Sequence, residues 1–437
     1  MLTSRPRISL SRRSFLGVAL GALGAAALRD TTPDAFAGEP ANVPGGAPGK
    51  APSTGPKAAA DAVILLWMNG GPSHLDTFDP KPGNSKVMGP MRAIPTAISG
   101  VQFGEHLPLL AKEAKRLAVI RGLSSKEGSH DRAQSLGHTG HTPNPTAAYP
   151  SFGAWTSKVL GSRDPELPAY VSLNGPGHDA GFFGAGHAPF VVSTPGAPPD
   201  NTDPGVSDAR FSHRREALSI LEDGFSARTK APFIADRRAV YDRAFSLMRS
   251  PKLSAFDLAS EPEKIVKAYG DTPFGKGCLT ARRLIEAGVR LVEVTLDGWD
   301  THQDNFNRVK TQCAALDPAM SALLVDLADR KLLDRTLVIC MGDFGRTPHI
   351  TSDDGRDHHP AAYSAVLAGG GVRGGVVIGG TDADGDQVKD GKTSVPDLLA
   401  TVAHQLGMDP NQSVQAPNGR PVSVTDGGLV IDGLVQP

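Results

Sequence analysis

"CLTARRLIEAGVRLVEVTLDGWDTH", residues 278–302, is the stretch that decides the fold. Its first half has helical spacing and is closed by Gly288, a residue suited to a helix C-cap. Its second half, "RLVEVTL" (290–296), is a short apolar, β-branched run of the kind that forms a buried strand. A polar cluster follows at once, with Asp297, Asp300, His302 and Asp304. Helix, strand and polar cluster in that order are the repeating unit of an open α/β sheet, where ligand groups stand just past the carboxyl ends of the strands.

The same unit recurs outward in both directions. Strand-like runs are "AVILLWM" (62–68), "LAVIR" (117–121), "TLVICM" (336–341) and "YSAVLAG" (363–369). Helical patterns precede them: "HLPLLAKEAKR" before the second, and before the third "DPAMSALLVDLADRKLL", where Asp317 fits an N-cap and Pro318 the first helical position. "VPDLLATVAHQLG" near the end repeats the Pro start and Gly stop. The pattern predicts an α/β fold, a doubly wound, mostly parallel sheet with helices on both faces. Between about 205 and 275 the chain is rich in Arg, Asp, Ser and Phe at helical spacing, which predicts a helical insertion.

The 437 residues carry a net charge of -1 and show no basic stripe interleaved with aromatics, so nucleic-acid binding has no electrostatic support. Cys278, Cys313 and Cys340 lie in helix-like or strand-like segments without C-x-x-C spacing, and are read as buried thiols with no disulfide framework. At the start, "SRRSFLG" (11–17) runs into "VALGALGAAAL", and "AFA" (35–37) supplies a small-residue cleavage site. Residues 1–37 are therefore read as a twin-arginine signal peptide whose apolar run is too short to span a bilayer. Residues 38–60, mostly Ala, Pro, Gly and Lys, are read as a flexible linker, and 61–437 as the folded domain. The expectation is export by the twin-arginine translocase to the periplasm or cell surface, with no stable transmembrane segment.

Three strand-like runs end in polar clusters: "NGGPSHLD" (Asn69, Ser73, His74, Asp76), "DGWDTHQDN", and "GDFGR" (Asp343, Arg346). Singly, such a cluster is ordinary turn chemistry. Together, and joined by "GRDHHP" (355–360), they collect carboxylates and imidazoles at one rim, which points to a divalent metal. The candidate ligands are Asp297, Asp300, His302, Asp343, His358 and His359. Mixed oxygen and nitrogen donors suit Zn, Mn or Fe, and Ca or Mg if only oxygens bind. Adjacent side chains in an extended loop point apart, so one of His358 and His359 can ligate while the other turns elsewhere. "GSHDRAQSLGHTG" (128–140), with Ser129, His130 and Arg132, reads as a turn into a helix whose N-terminus can hold an anion, or else as a capped surface helix. Arg346 and Arg132 are candidates for holding charged oxygens, because a guanidinium fork matches an oxyanion. "TDADGDQVKDG" (381–391) has calcium-loop spacing but Gln387 at the sixth position and Thr393 at the twelfth, so a structural turn is favoured.

The pieces "MNGGPSHLDTFDPKP", "LTARRLIEAGVRLVEV" with "GWDTHQDNF", "GDFGRTP", "GRDHHP", "GGTDADG" and "PDLLATVAHQLG", in this order from 68 to about 407, resemble the alkaline phosphatase-like superfamily of sulfatases, phosphatases and phosphonate hydrolases. More closely they resemble its exported bacterial domain-of-unknown-function family 1501. The resemblance implies a metal-dependent hydrolase of sulfate or phosphate esters acting on a small molecule or polysaccharide. Departures from sulfatases are specific: Phe344 stands where a His follows the late-strand Asp, Asn69 replaces a first-strand Asp, and the nucleophile position falls on Gly128, with Ser129 one residue late. Attack then falls to water at the metal or to Ser129, with His130 as ligand or base. The alternative is an exported binding protein that keeps fold and metal without turnover.

Overall fold

The computed structural model describes residues 55–229 and 233–436. The signal peptide and most of the linker expected from the sequence lie outside the described residues, although Ala59 and Ala60 at the linker's end both donate to the Gln405 carbonyl.

An eight-stranded sheet forms the centre. In chain order its strands are β1 (Ala62–Asn69), β2 (Leu117–Leu123), β3 (Tyr170–Leu173), β4 (Phe190–Val192), β5 (Leu291–Asp297), β6 (Thr336–Gly342), β7 (Tyr363–Ala368) and β8 (Val376–Ile378). Across the sheet the order is β8-β2-β7-β6-β1-β5-β3-β4. Every pairing is parallel except those of β7, which runs antiparallel to both β2 and β6. The sheet is thus mixed and mostly parallel, in an α/β fold. "YSAVLAG" carries no mark of its direction, because a strand buried on both faces reads the same either way.

The period of two along β1 divides the core. Ala62, Ile64, Leu66 and Met68 face one layer, while Val63 and Trp67 face the other. Helices α1 (His130–Thr139), α2 (Phe152–Val159) and α7 (Val395–Gln405) share residues with the second layer; α5 (Pro273–Ala287) and α6 (Asn305–Asp329) cover the first. Helix α5 starts as its sequence dictates, with the Thr272 hydroxyl accepting from Gly275 N–H, Pro273 next, and Gly288 closing it. Helix α7 carries a full capping box between Ser394 and Asp397. The region read as an insertion holds α3 (Asp208–Thr229) and α4 (Phe233–Arg249). The three cysteines are free and buried, and among the described residues no helix is long and apolar enough to cross a membrane.

Helix α6 differs from expectation. It begins at Asn305 and runs through Pro318, which the sequence suggested as a start. An interior proline costs about 3 kcal/mol, but Val309, Cys313, Leu316, Met320, Leu323 and Leu327 are all fully buried along the helix. At ~1.5–3 kcal/mol per buried large side chain, that continuous stripe outweighs the break. Asp317 does act as a cap, though for another helix: its carboxylate accepts from the backbone N–H groups of Leu109 and Leu110, at 2.9 and 2.8 Å.

Candidate metal centre

Register at the centre of the sheet places the rim residues. Asn69 pairs with Asp297, and Met68 with Gly342, so the ends of β1, β5 and β6 lie side by side with Asp343 one step beyond. Helix α1 reaches the same rim because Gly137 lets it lie against β1. A Cβ there would stand 2.6 Å from the Trp67 ring. His130, Gln134 and His138, spaced by four, then share its inward face.

Four donor groups converge. Asp300 Oδ1 lies 3.2 Å from His302 Nε2 and 3.4 Å from both His130 Nε2 and His358 Nε2. The Nε2 atoms of His302 and His358 are only 2.9 Å apart. Each imidazole is held from behind through Nδ1: His130 by Asp343 Oδ2 at 2.6 Å, His302 by Asp357 Oδ1 at 2.8 Å, and His358 by the Gly128 carbonyl at 2.8 Å. A backbone carbonyl and, at neutral pH, a carboxylate can only accept, so each Nδ1 bears the proton and a neutral ring presents a bare Nε2 lone pair. The Nε2 of His130 is buried and has no hydrogen-bond partner. The Asp300 carboxylate is offset by the Arg346 guanidinium bonded to the same oxygen, and the facing imidazole nitrogens beside it form a donor set that suits a divalent cation. His130, Asp300 and His358 bring their ligand atoms within 4.8 Å of one another.

The electrostatics follow from the neighbours. Burial pushes the Asp300 carboxyl up, but the Arg346 guanidinium bonded to it, with His130 and His302 nearby, brings it down to about 2. The Asp343 hydrogen bond raises His130 above the ordinary imidazole range against the opposing effect of burial. Burial lowers His358.

The remaining sequence candidates lie elsewhere. His359 pairs with Gly345 and His358 with Arg346 in a two-residue antiparallel ladder. Alternation therefore turns His359 away from the cluster, and its Nε2 donates to the Asp386 carbonyl at 2.6 Å. Asp297 is exposed and accepts from Asn69 Nδ2 at 2.6 Å, which keeps it out of the cluster. Asp343 supports His130 rather than joining the inner set, and also accepts from Gln134 at 3.3 Å. Arg346 is fully buried: it donates to the carbonyls of Gly70, Gly71 and Arg356 and, at 2.5 Å, to Asp300. Four of its five N–H donors are thus taken, and its charge is directed at Asp300. Arg132 points to solvent and forms a two-pronged pair with Glu127, at 2.5 and 2.8 Å. Ser129 is the N-cap of α1, extended in backbone, and its side chain makes no capping bond.

Sequence reasoning gave no supporting role to Asp357 or to the Gly128 carbonyl, although both lie inside quoted motifs. The 381–391 segment is a turn held by Asp382, whose carboxylate accepts from the N–H groups of Asp384, Asp386 and Gln387. Below the rim, His138 Nε2 contacts Glu293 Oε1 at 3.2 Å, and the Tyr170 hydroxyl donates to Glu293 Oε2 at 2.7 Å. His138 Nδ1 meets the Gln134 carbonyl at 2.8 Å. Both its nitrogens face acceptors, which describes an imidazolium.

Residues 60–435 match the family described as "Protein of unknown function (DUF1501)". No curated protein sequence matches. Among solved structures the chain is similar to the lipoteichoic acid synthase LtaP from Listeria monocytogenes, with 11% identity over 84% of this chain and 75% of that chain, at TM-score 0.37. It is similar to the PsFucS1 sulfatase from Pseudoalteromonas sp., with 11% identity over 80% and 68%, at TM-score 0.36. It is also similar to the C-terminal periplasmic domain of EcEptC from Escherichia coli in complex with Zn, with 12% identity over 87% and 93%, at TM-score 0.38.

Proposed function

The chain belongs to the DUF1501 family of proteins of unknown function, and from the site it builds we propose an exported, metal-dependent hydrolase of sulfate or phosphate esters. The observation that carries the reading is the convergence of three imidazole Nε2 atoms on Asp300 Oδ1, each ring fixed from behind by an acceptor. Outer acceptors of this kind orient histidine ligands in metal sites. His130, His302, His358 and Asp300 would hold the ion. Three nitrogens and one oxygen suit Zn or another borderline transition metal better than Ca or Mg, which prefer oxygen.

When bound, a divalent cation there supplies Lewis-acid polarisation of an ester oxygen and brings the pKa of water toward neutrality. The chain's residues do the rest. Arg346 fixes Asp300, and Asp343 and Asp357 fix two of the rings. Because the Ser129 side chain does not cap α1, the first-turn N–H groups of this ten-residue helix remain open beside His130. They are suited to charged ester oxygens. No base contacts Ser129 among the described residues, so water is the attacking group. Export rests on the twin-arginine pattern at 11–17 and the site at 35–37.

One observation favours a second reading, an exported binding protein that keeps the metal. Of the two arginines expected to grip substrate, one is buried against Asp300 and backbone carbonyls and the other is paired with Glu127. Metal analysis of the purified folded protein, with a panel of aryl sulfates and aryl phosphates, separates the readings. Stoichiometric metal and turnover, both lost in His302→Ala and His358→Ala, support the hydrolase. Metal without turnover supports the binding protein. A folded chain that binds no transition metal overturns both.

A further inference from the structure

A pocket of about 180 Å³ lies between helix α4 and the sheet edge that ends in β4, and none of the residues lining it belongs to the metal centre. Val240, Arg243, Ala244 and Leu247 enter it from α4 at the spacing of one helix face. Leu167, from the segment before β3, and Phe190, at the start of β4, form the opposite side. Leu167 and Leu247 are buried while Val240 is exposed, so the pocket reaches solvent past Val240. Of these side chains only Arg243 is polar.

Arg243 is half-buried there and its charge is unmet. Its Nε donates to the Ala239 carbonyl one turn back, at 3.2 Å, and Nη2 lies 3.7 Å from the place a Cβ on Gly186 would take. Among the described residues neither Nη group has a hydrogen-bond partner, and no carboxylate pairs with the guanidinium. Burial holds it below its ordinary range with no neighbouring charge to offset the effect. Glu166, the one acidic residue in the lining, accepts from the Ser250 hydroxyl at 2.6 Å and forms no ion pair with Arg243. His187, on the adjoining turn, is lowered to about 4 by burial, with Lys158 and Arg243 adding to it, so it is neutral near pH 7. Arg290, similarly buried, instead donates to the carbonyls of Gly161 and Asp61. A part-buried cation is ordinarily paired, and a guanidinium with both Nη groups open is a fork for a carboxylate. One such group over an apolar lining fixes a ligand's orientation.

We propose that this pocket is a binding site for a small apolar carboxylate, its oxygens on the two Nη groups of Arg243 and its tail against Leu167, Phe190 and Ala244. The volume takes roughly six non-hydrogen atoms, at ~30 Å³ each, which matches the tail of hexanoate. A free short-chain acid and an apolar C-terminal residue of a polypeptide share this chemistry. The site stands apart from the hydrolase reading and does not depend on it. Titration calorimetry of the full chain at low salt compares hexanoate with hexan-1-ol and hexylammonium, and the peptide Gly-Gly-Leu with its C-terminal amide. The expected result is one hexanoate per chain, bound about tenfold or more tighter than the alcohol or the ammonium, as for a charge-assisted pair. Arg243→Gln should remove that preference, and Ala244→Phe, which fills the pocket, should abolish binding; circular dichroism checks both folds, and Arg243→Gln decides alone if Ala244→Phe does not fold. A tighter Kd for Gly-Gly-Leu than for hexanoate, lost in the amide, assigns the site to a polypeptide end, and the reverse order assigns it to a free acid. Hexan-1-ol or hexylammonium binding as tightly as hexanoate, binding unchanged in Arg243→Gln, or no saturable binding of either carboxylate overturns the proposal.

Discussion

Replacing Asp343 tests whether the imidazoles are held as metal ligands. Its buried carboxylate takes the His130 Nδ1 proton at 2.6 Å and the Gln134 amide at 3.3 Å on one oxygen, and the Gly70 N–H at 3.4 Å on the other. In Asp343→Asn the amide oxygen keeps the side with two donors and its NH₂ faces Gly70, so His130 retains its bond but loses the negative charge behind it. In Asp343→Ala the half-buried ring loses its acceptor altogether. Removing such outer support weakens metal binding by about ten- to hundredfold, or roughly 1.4 to 2.7 kcal/mol. The expectation is about tenfold for Asn and about a hundredfold for Ala. Zinc competition against a chromophoric chelator at fixed pH reads the affinity, and denaturant unfolding of the metal-free protein reads the fold. Folded Asp343→Ala that binds zinc within twofold of the parent chain would refute the reasoning.

Further outcomes follow from the same structure. Burial works against the His138 imidazolium, but Glu293 raises it above the ordinary range, while burial works against the Glu293 carboxylate and His138 lowers it. The glutamate's contribution is lost as pH falls through its lowered pKa and the histidine's as pH rises through its raised one, so the pair stabilises between them. Glu293→Gln should cost about 3 kcal/mol near pH 6 by urea unfolding; a loss under 0.5 kcal/mol contradicts the ion pair. His74, lowered by burial to about 4, stays neutral in the fold but takes a proton when unfolded below about 6.5. Stability is therefore whole above 6.5 and declines as pH falls toward 4, by up to about 3 kcal/mol. His74→Gln should flatten that decline, and an unchanged slope between pH 7 and 4 would exclude His74 as its source. Ser129→Ala should keep kcat within about threefold on any ester the protein hydrolyses; a loss of a thousandfold would instead mean covalent attack by Ser129.

The sheet was legible because β1, β5 and β6 are apolar runs followed by polar clusters, and strand register alone brings Asn69, Asp297 and Asp343 together. Inside the cluster the sequence could name residue types but not directions. Whether His358 or His359 faces the rim depends on which pairs with Arg346 across the loop 347–357, and both readings have the same local pattern. Arg346 was read as a substrate anchor from its guanidinium fork; that it also bonds the carbonyls of Gly70, Gly71 and Arg356 is something no side-chain motif advertises. The i, i+4, i+8 spacing of His130, Gln134 and His138 was a usable sign that His130 turns inward. The extent of α6 was hidden by Pro318, whose local preference is overruled by burial along the whole helix.

The most direct measurement is X-ray absorption at the metal edge of the purified protein, with zinc supplied during expression. Three imidazole nitrogens at about 2.0–2.1 Å with at least one oxygen, falling to two imidazoles in His358→Ala, are the predicted outcome. A coordination shell of oxygens alone, or one that His358→Ala leaves unchanged, would contradict it.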